Sequence, residues 1–228
     1  MSRLAIFDLD GTLVDSAALL ERALTETFEE IGRTSPGRQH CRRVIGLSLL
    51  EAARALMPQA DAGMIAEFAE TFKSTFPQVR GRKVSPERLF EGIIKLVDGL
   101  RDDGWLLAIA TGNTKRGIER PMKIYGLEER FISVQTADDH PSKPHPSMVF
   151  RAMGDAGASS SSTIVIGDTT SDVLMARAAG ASAIGASWGR HEAQDLVKGG
   201  AAAVARHPSD VLEIVRLGAL ESSPPIAA

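Results

Sequence analysis

Three apolar runs along the chain end abruptly in small polar residues. Leu4 to Phe7 stops at Asp8, Asp10 and Gly11; Trp105 to Ala110 stops at Thr111-Gly112-Asn113; Thr163 to Ile166 stops at Gly167-Asp168-Thr169. A short continuous apolar run reads as a strand covered on both faces, and the polar cluster after it as a loop at the strand's C-terminal end. Ala181 to Ala186 and Ala201 to Val204 predict two further strands. Segments of helical spacing follow, and strands alternating with helices predict a parallel sheet with right-handed crossovers, because parallel neighbours need a long connection that a helix fills. Sheets of this kind bind ligands at the C-terminal ends of their strands, where these polar residues collect.

The alternation breaks between residue 15 and about residue 82, where no strand pattern occurs and Leu20, Ala23, Leu24, Phe28 and Ile31 recur at helical spacing. An all-helical insertion over 15–82 is the expectation, entered at Asp15-Ser16 as an N-cap and left through the turn-rich stretch from Gly81 to Pro86. The remaining chain, 1–14 and 83–221, forms the parallel-sheet core, with a frayed tail over 222–228. Ser159 to Ser162 predicts a loop ahead of the third strand.

Composition narrows the class. With 43% hydrophobic and 24% charged residues in 228, the chain can bury a sizeable core. The formal charge is −3 and the Lys and Arg residues are scattered, which excludes a nucleic-acid partner. No apolar run is long enough for a signal-peptide core or a membrane span. Cys41 is the single cysteine, so neither an internal disulfide nor a thiolate zinc site can form, and a cytoplasmic location is expected.

Asp8 and Asp10 flank Leu9 at a strand end, and extended backbone would aim both carboxylates the same way. Asp168 and Asp172 add a second pair after another strand. Four carboxylates at one place repel unless a cation compensates, and an all-oxygen set suits a hard ion such as Mg²⁺ rather than zinc. The plainer alternatives are a solvated turn at Asp8 to Gly11, and a helix capped by Asp168 with Asp172 complementing its dipole. The Thr111 hydroxyl and the N–H groups of Gly112 and Asn113 could hold a phosphoryl oxygen. Lys143 lies in Ser142-Lys143-Pro144-His145-Pro146, where two prolines stiffen the chain around one cation.

Taken in order, Asp8-Leu9-Asp10-Gly11-Thr12, Thr111-Gly112-Asn113, Lys143-Pro144 and Gly167-Asp168-Thr169-Thr170-Ser171-Asp172 resemble the motifs of the haloacid dehalogenase superfamily in its phosphatase branch. The nearest likeness is to the phosphoglycolate phosphatase group. The resemblance implies an α/β fold, a Rossmannoid parallel sheet flanked by helices with an inserted all-helical cap domain. It implies hydrolysis of a small phosphorylated metabolite, with Asp8 as nucleophile and Asp10 as acid and base. Mg²⁺ would be held by Asp8, the Asp10 carbonyl and Asp168, with Asp172 acting directly or through water, and Thr111 and Lys143 would grip the phosphoryl oxygens.

At the cap, Arg42, Arg43 and Ser48 around Gly46-Leu47 are candidates for a second anionic group, with a solvated face as the plainer reading. Phe90-Glu91-Gly92 stands where phosphoglycolate phosphatases commonly carry a Pro-Gly element. His145 is expected to be structural, His40, His191 and His207 have no partners at metal-ligand spacing, and Trp188-Gly189 is expected to pack. Two enzymatic or signalling alternatives share these residue types: a phosphosugar mutase of the same superfamily, and a non-enzymatic phospho-aspartate domain like a response-regulator receiver. The motif order speaks against the receiver. A dinucleotide-binding module is disfavoured because no Gly-x-Gly-x-x-Gly follows the first strand.

Overall fold

Strand β1 (Ser2–Phe7) lies inside the sheet and is apolar on both sides, as its run of Leu4, Ala5, Ile6 and Phe7 requires. In this computed structural model, which describes residues 2–82 and 87–218, β1 pairs in parallel with β4 (Trp105–Ala110) and with β6 (Ala158–Gly167). Adding β5 (Ser133–Gln135), β7 (Ser182–Ala186) and β8 (Ala203–Ala205) gives a six-stranded sheet in the order β5-β4-β1-β6-β7-β8, parallel throughout.

Strand alternation sorts the side chains between two layers. Ala5 and Phe7 join Leu107, Ile109, Ile164 and Ile166 beneath helices α5 (Ile93–Asp102), α6 (Lys115–Ile124) and α10 (Pro208–Arg216). Leu4 and Ile6 face the other way, with Ala108, Ala110 and Val165, under α7 (Ser147–Ala156), α8 (Thr170–Ala178) and α9 (Ala193–Gly199). The second layer is rich in alanine, so its helices can approach the sheet closely. Each fully buried Leu, Ile or Phe contributes about 1.5–3 kcal/mol, and Phe7 adds an edge contact to Phe131.

Three strand readings change. The Ser159–Ser162 segment is not a loop ahead of a strand: it lies inside β6 as a bulge, since Ser2 pairs with Ala158 and Leu4 with Thr163. Serine and threonine hydroxyls satisfy the bulged backbone locally, with Ser159 N donating to Ser162 Oγ and Thr163 Oγ1 donating to Ser159 O. Strand β5 has no apolar alternation to reveal it, and the last strand starts at Ala203 rather than Ala201.

A further change concerns where the insertion leaves the sheet. Strands β2 (Val14–Asp15) and β3 (Arg88–Leu89) pair antiparallel, Val14 with Leu89 and Asp15 with Arg88, so the chain departs and returns at one place. Between them lie helices α1 (Ala17–Glu30), α2 (Arg38–Val44), α3 (Leu49–Leu56) and α4 (Ala62–Gly81). Their own apolar cluster holds Leu24, Phe28, Cys41, Ile65 and Phe68, with Phe28 and Phe68 in ring contact at 4.9 Å. The expected turn through Pro86 and the tail over 222–228 lie outside the described residues. Among the described residues no helix is long and apolar enough to cross a membrane.

Candidate active site

The loops after β1, β4 and β6 meet above the sheet, and the polar residues that end those strands meet with them. Pairing continues one residue past β1, where Asp8 N donates to Ile166 O at 2.9 Å, which fixes the root of the Asp8 side chain. The chain then turns at Gly11, whose φ of +98° is a left-handed conformation that a side chain would strain. Space excludes one as well: a Cβ there would stand 2.3 Å from Asp168 Oδ2.

Asp8, Asp168 and Asp172 are fully buried, and one oxygen of each lies within 4.8 Å of the others. Lys143, also buried, joins two of them, its Nζ donating to Asp8 Oδ1 at 2.7 Å and to Asp172 Oδ1 at 2.6 Å. Asp172 Oδ2 accepts from Thr169 N and Oγ1, closing a capping box at the start of α8. Thr169, not Asp168, is therefore the helix cap. Asp168 instead accepts from Thr12 Oγ1 at 3.0 Å and from Arg190, whose backbone N and Nη2 approach its two oxygens at 3.0 and 2.9 Å.

Asp10 points elsewhere, although strand alternation predicted a common aim. Its Oδ1 accepts from Ser16 Oγ at 2.5 Å and its Oδ2 from Asn113 Nδ2 at 3.1 Å. Three of the four expected carboxylates thus converge, and the fourth lies apart from them, because the turn at Gly11 ends the extended backbone on which alternation depends. Ser16 occupies the N-cap position of α1, yet its hydroxyl serves Asp10 and makes no side-chain cap.

Thr111 is buried at the end of β4, where its N donates to Gln135 O and its Oγ1 accepts from Asn113 N at 3.1 Å. Gly112 meets the helical insertion: a Cβ there would stand 2.3 Å from the Gly46 carbonyl oxygen and 2.6 Å from that of Leu47. Backbone contact with the insertion is thus enough to require a glycine in this motif. Ser48 N, in the same stretch, donates to Ser142 Oγ beside Lys143.

The electrostatics follow from burial. Asp8 is pushed up to about 8, by burial first, with the charge of Lys143 opposing and those of Asp172 and Asp168 adding to the rise. Burial opposes the charge of Lys143 too, but Asp172 and Asp8 outweigh it and hold the ammonium above its ordinary value. The same ion pair holds Asp172 below the usual carboxylate range against its own burial. The three converging carboxylates, Asp8, Asp168 and Asp172, meet two cations, Lys143 and Arg190, leaving a formal charge of −1. The balance and the all-oxygen donors fit one hard divalent cation.

Arg190 is a residue of the cluster that the sequence reading does not single out, whereas Ser16 is read there only as a helix cap and Thr12 only as the end of the first motif. The one available signal for Arg190 was its place directly after Trp188-Gly189. Trp188 packs as expected, and its Nε1 also donates to Thr12 O, tying this loop to the one after β1. The insertion candidates are less engaged: Arg42 is exposed and pairs with Glu21 at 3.0 Å, and Arg43 is exposed on the same helix. His191 Nδ1 accepts from Thr170 N and His145 Nδ1 from Ser147 N, while His140 bridges the side chains of Ser147 and Gln135. Gly92 of the Phe90-Glu91-Gly92 stretch adopts a left-handed conformation at the start of α5.

The sequence profile of the haloacid dehalogenase-like hydrolase family matches residues 5–186. A curated relative from Dickeya dadantii, "Probable phosphatase IndB", is 34% identical over 86% of this chain and 86% of its own length. A phosphoglycolate phosphatase from Pseudomonas savastanoi pv. phaseolicola is 29% identical over 87% of this chain and 74% of its own. In fold, the chain superposes on a hydrolase from Pseudomonas syringae with a TM-score of 0.84, at 24% identity over 95% of this chain and 99% of that one. With its sheet order, its inserted helices and a family match over most of its length, this chain belongs to the haloacid dehalogenase-like hydrolases.

Proposed function

We propose that the chain is a magnesium-dependent phosphatase that hydrolyses small phosphate monoesters through a phosphorylated Asp8. The observation that carries this reading is a buried Asp8 held by Lys143 at 2.7 Å in a site whose carboxylates outnumber its cations. A nucleophilic carboxylate must be ionised, and Asp8 at about 8 needs further positive charge to be so at neutral pH. Bound Mg²⁺, held by Asp8 and Asp168 with the Asp10 carbonyl and Asp172, would supply that charge and offset the repulsion between nucleophile and phosphate.

An Asp8 oxygen attacks phosphorus, the phosphorus–oxygen ester bond breaks, and the departing alkoxide takes a proton from Asp10. In the second half a water attacks the aspartyl phosphate and gives its proton to Asp10, and the bond to Asp8 breaks to release inorganic phosphate. Asp10 must therefore hold and release a proton. The Ser16 hydroxyl suits both states, since it can donate to the carboxylate or accept from the acid. Lys143 and the Thr111-Gly112-Asn113 turn would hold the phosphoryl oxygens.

A cavity of about 660 Å³ opens from Asp10 and Asn113 toward the insertion, walled by Leu20, Leu24, Phe72 and Phe76 and by the cations Lys73, Arg80, Arg116 and Arg120. It lies on the side of Asp10, the proposed acid for the leaving group, and admits an organic part larger than glycolate, with room for polar or anionic groups beside the cations. The region 15–82 would act as the cap that excludes water and selects the ester. A cytoplasmic location belongs to the same reading, supported by the lone buried thiol of Cys41.

The test is phosphate release from a panel holding 2-phosphoglycolate, sugar phosphates, aryl phosphates and inorganic pyrophosphate, with Mg²⁺ and with chelator, and with Asp8→Asn as control. Release that needs Mg²⁺ and vanishes in the variant is expected. Activity that survives both changes would overturn the mechanism, and isomerised phosphosugar without free phosphate would make the chain a mutase.

A further inference from the structure

Arg190 is the one charged group in the acidic cluster that the phosphatase mechanism does not use. It is held there tightly for an arginine. The side chain is 8% exposed, its backbone N and Nη2 donate to the two oxygens of Asp168, and Nε lies 2.9 Å from Asp168 Oδ2. Nη2 also reaches Asp8 Oδ2 at 3.5 Å, so one guanidinium spans the nucleophile and its neighbour.

The surroundings are shaped to admit it. Gly11 lies beneath, where a Cβ would come within 2.9 Å of the guanidinium carbon, and Gly46 of the insertion lies above, where a Cβ would stand 3.2 Å from Nη2. Gly189, directly before it, has no room for a side chain, since a Cβ would stand 2.2 Å from that of Asp168. Two of its nitrogens, Nε and Nη1, are buried and make no hydrogen bond of good geometry. Burying a guanidinium with donors unsatisfied costs free energy, which the carboxylates beside it must offset.

The atoms that hold Arg190 are the atoms a divalent cation would use. Asp8 and Asp168 belong to the carboxylate group whose oxygens lie within 4.8 Å of one another, and Arg190 engages both oxygens of Asp168 and faces the Asp8 oxygen that Lys143 leaves over. A cation and a guanidinium cannot both occupy that space. We propose that Arg190 is a built-in competitor of the metal: it holds Asp8 and Asp168 together when no divalent cation is bound and must give up Asp8 when one enters. This rests on the magnesium reading of the site above. Arg190 is then a positioning residue that sets how much free metal the enzyme needs.

The measurement is divalent-cation binding, not turnover. Mn²⁺ is titrated into the wild type, Arg190→Gln and Arg190→Lys and followed by electron paramagnetic resonance, and melting temperature is recorded against Mg²⁺ concentration. Arg190→Gln removes the charge but keeps a hydrogen-bonding end, so binding should tighten at least about fivefold, at the lower edge of typical coupling between competing ligands. Its melting temperature in chelator should fall below that of the wild type, widening the rise caused by Mg²⁺. Arg190→Lys keeps the charge but loses the planar fork that spans two carboxylates, and should fall between the two. Unchanged or weaker Mn²⁺ binding in Arg190→Gln would overturn the proposal while leaving the magnesium site intact. Absence of binding in all three proteins would overturn both. Should Arg190→Gln fail to fold, Arg190→Lys carries the test alone: tighter binding supports competition, and equal or weaker binding rejects it.

Discussion

The two walls of the cleft are built on opposite principles. On the sheet side the carboxylates of Asp8, Asp168 and Asp172 are buried and held by named donors, so their positions are set before any substrate arrives. On the insertion side the wall is mostly apolar, formed by residues such as Leu20, Leu24 and Phe76, with Lys73 and Arg80 among them, while Arg42 and Arg43 line a separate pocket. The sheet side gathers fixed charges in a buried cluster, whereas the insertion side offers an apolar surface carrying a few cations, a division that suits a common chemistry with an exchangeable selectivity.

The largest effect should come from the sheet side. Lys143→Met leaves two buried carboxylates without their shared partner, and we expect a loss of about 3–5 kcal/mol in chemical denaturation together with at least about a thousandfold loss of turnover. A stable and active variant would mean that the cluster is not held by that ammonium. On the insertion side, Phe68→Ala should cost about 3–5 kcal/mol by opening a cavity beside Phe28, yet leave Mg²⁺ affinity unchanged, because no cluster residue touches it. A parallel loss of metal binding would show that the two walls are one cooperative unit.

The third prediction uses pH. Asp8 is raised from the ordinary carboxylate value of 3.8 to about 8, so between those values the folded metal-free protein binds more protons than the unfolded chain. Its stability in chelator should therefore be greatest at the acidic end of this window and fall as pH rises through about 8, and Asp8→Asn should flatten that slope. A slope of the opposite sign, or one untouched by the substitution, would contradict the burial cause. Ser16→Ala, which removes the hydroxyl from Asp10, should lower kcat about tenfold with little change in KM, as seen in steady-state kinetics. Arg42→Ala, by contrast, should change stability by no more than about 0.5 kcal/mol, since its partner Glu21 is reached across an exposed surface.

What could be read from the chain follows the same division. Asp8, Asp168 and Lys143 stand beside local punctuation: apolar runs that stop, glycines that turn, prolines that stiffen. Strand β5 carries Ser133 and Gln135 and owes its place to β4, and the two-residue strands of the ribbon are too short to make a pattern. Arg190 meets Asp8 across 182 positions of sequence, and only its place directly after Trp188-Gly189 distinguishes it from any loop arginine. Ser16 carries the signature of a helix cap and is drawn instead to Asp10, because a buried carboxylate is a stronger acceptor of its hydroxyl than a backbone N–H is a donor to it. Side-chain roles fixed by distant partners are invisible to periodicity.

Asp172 offers one oxygen to the first turn of α8 and the other to Lys143. The side chain that closes the first turn of that helix is therefore also the one that shares Lys143 with Asp8. Unwinding the start of α8 would withdraw Asp172 from Lys143, so amide exchange at Thr169 to Val173 would report on the charge arrangement of the proposed metal site as well as on the helix.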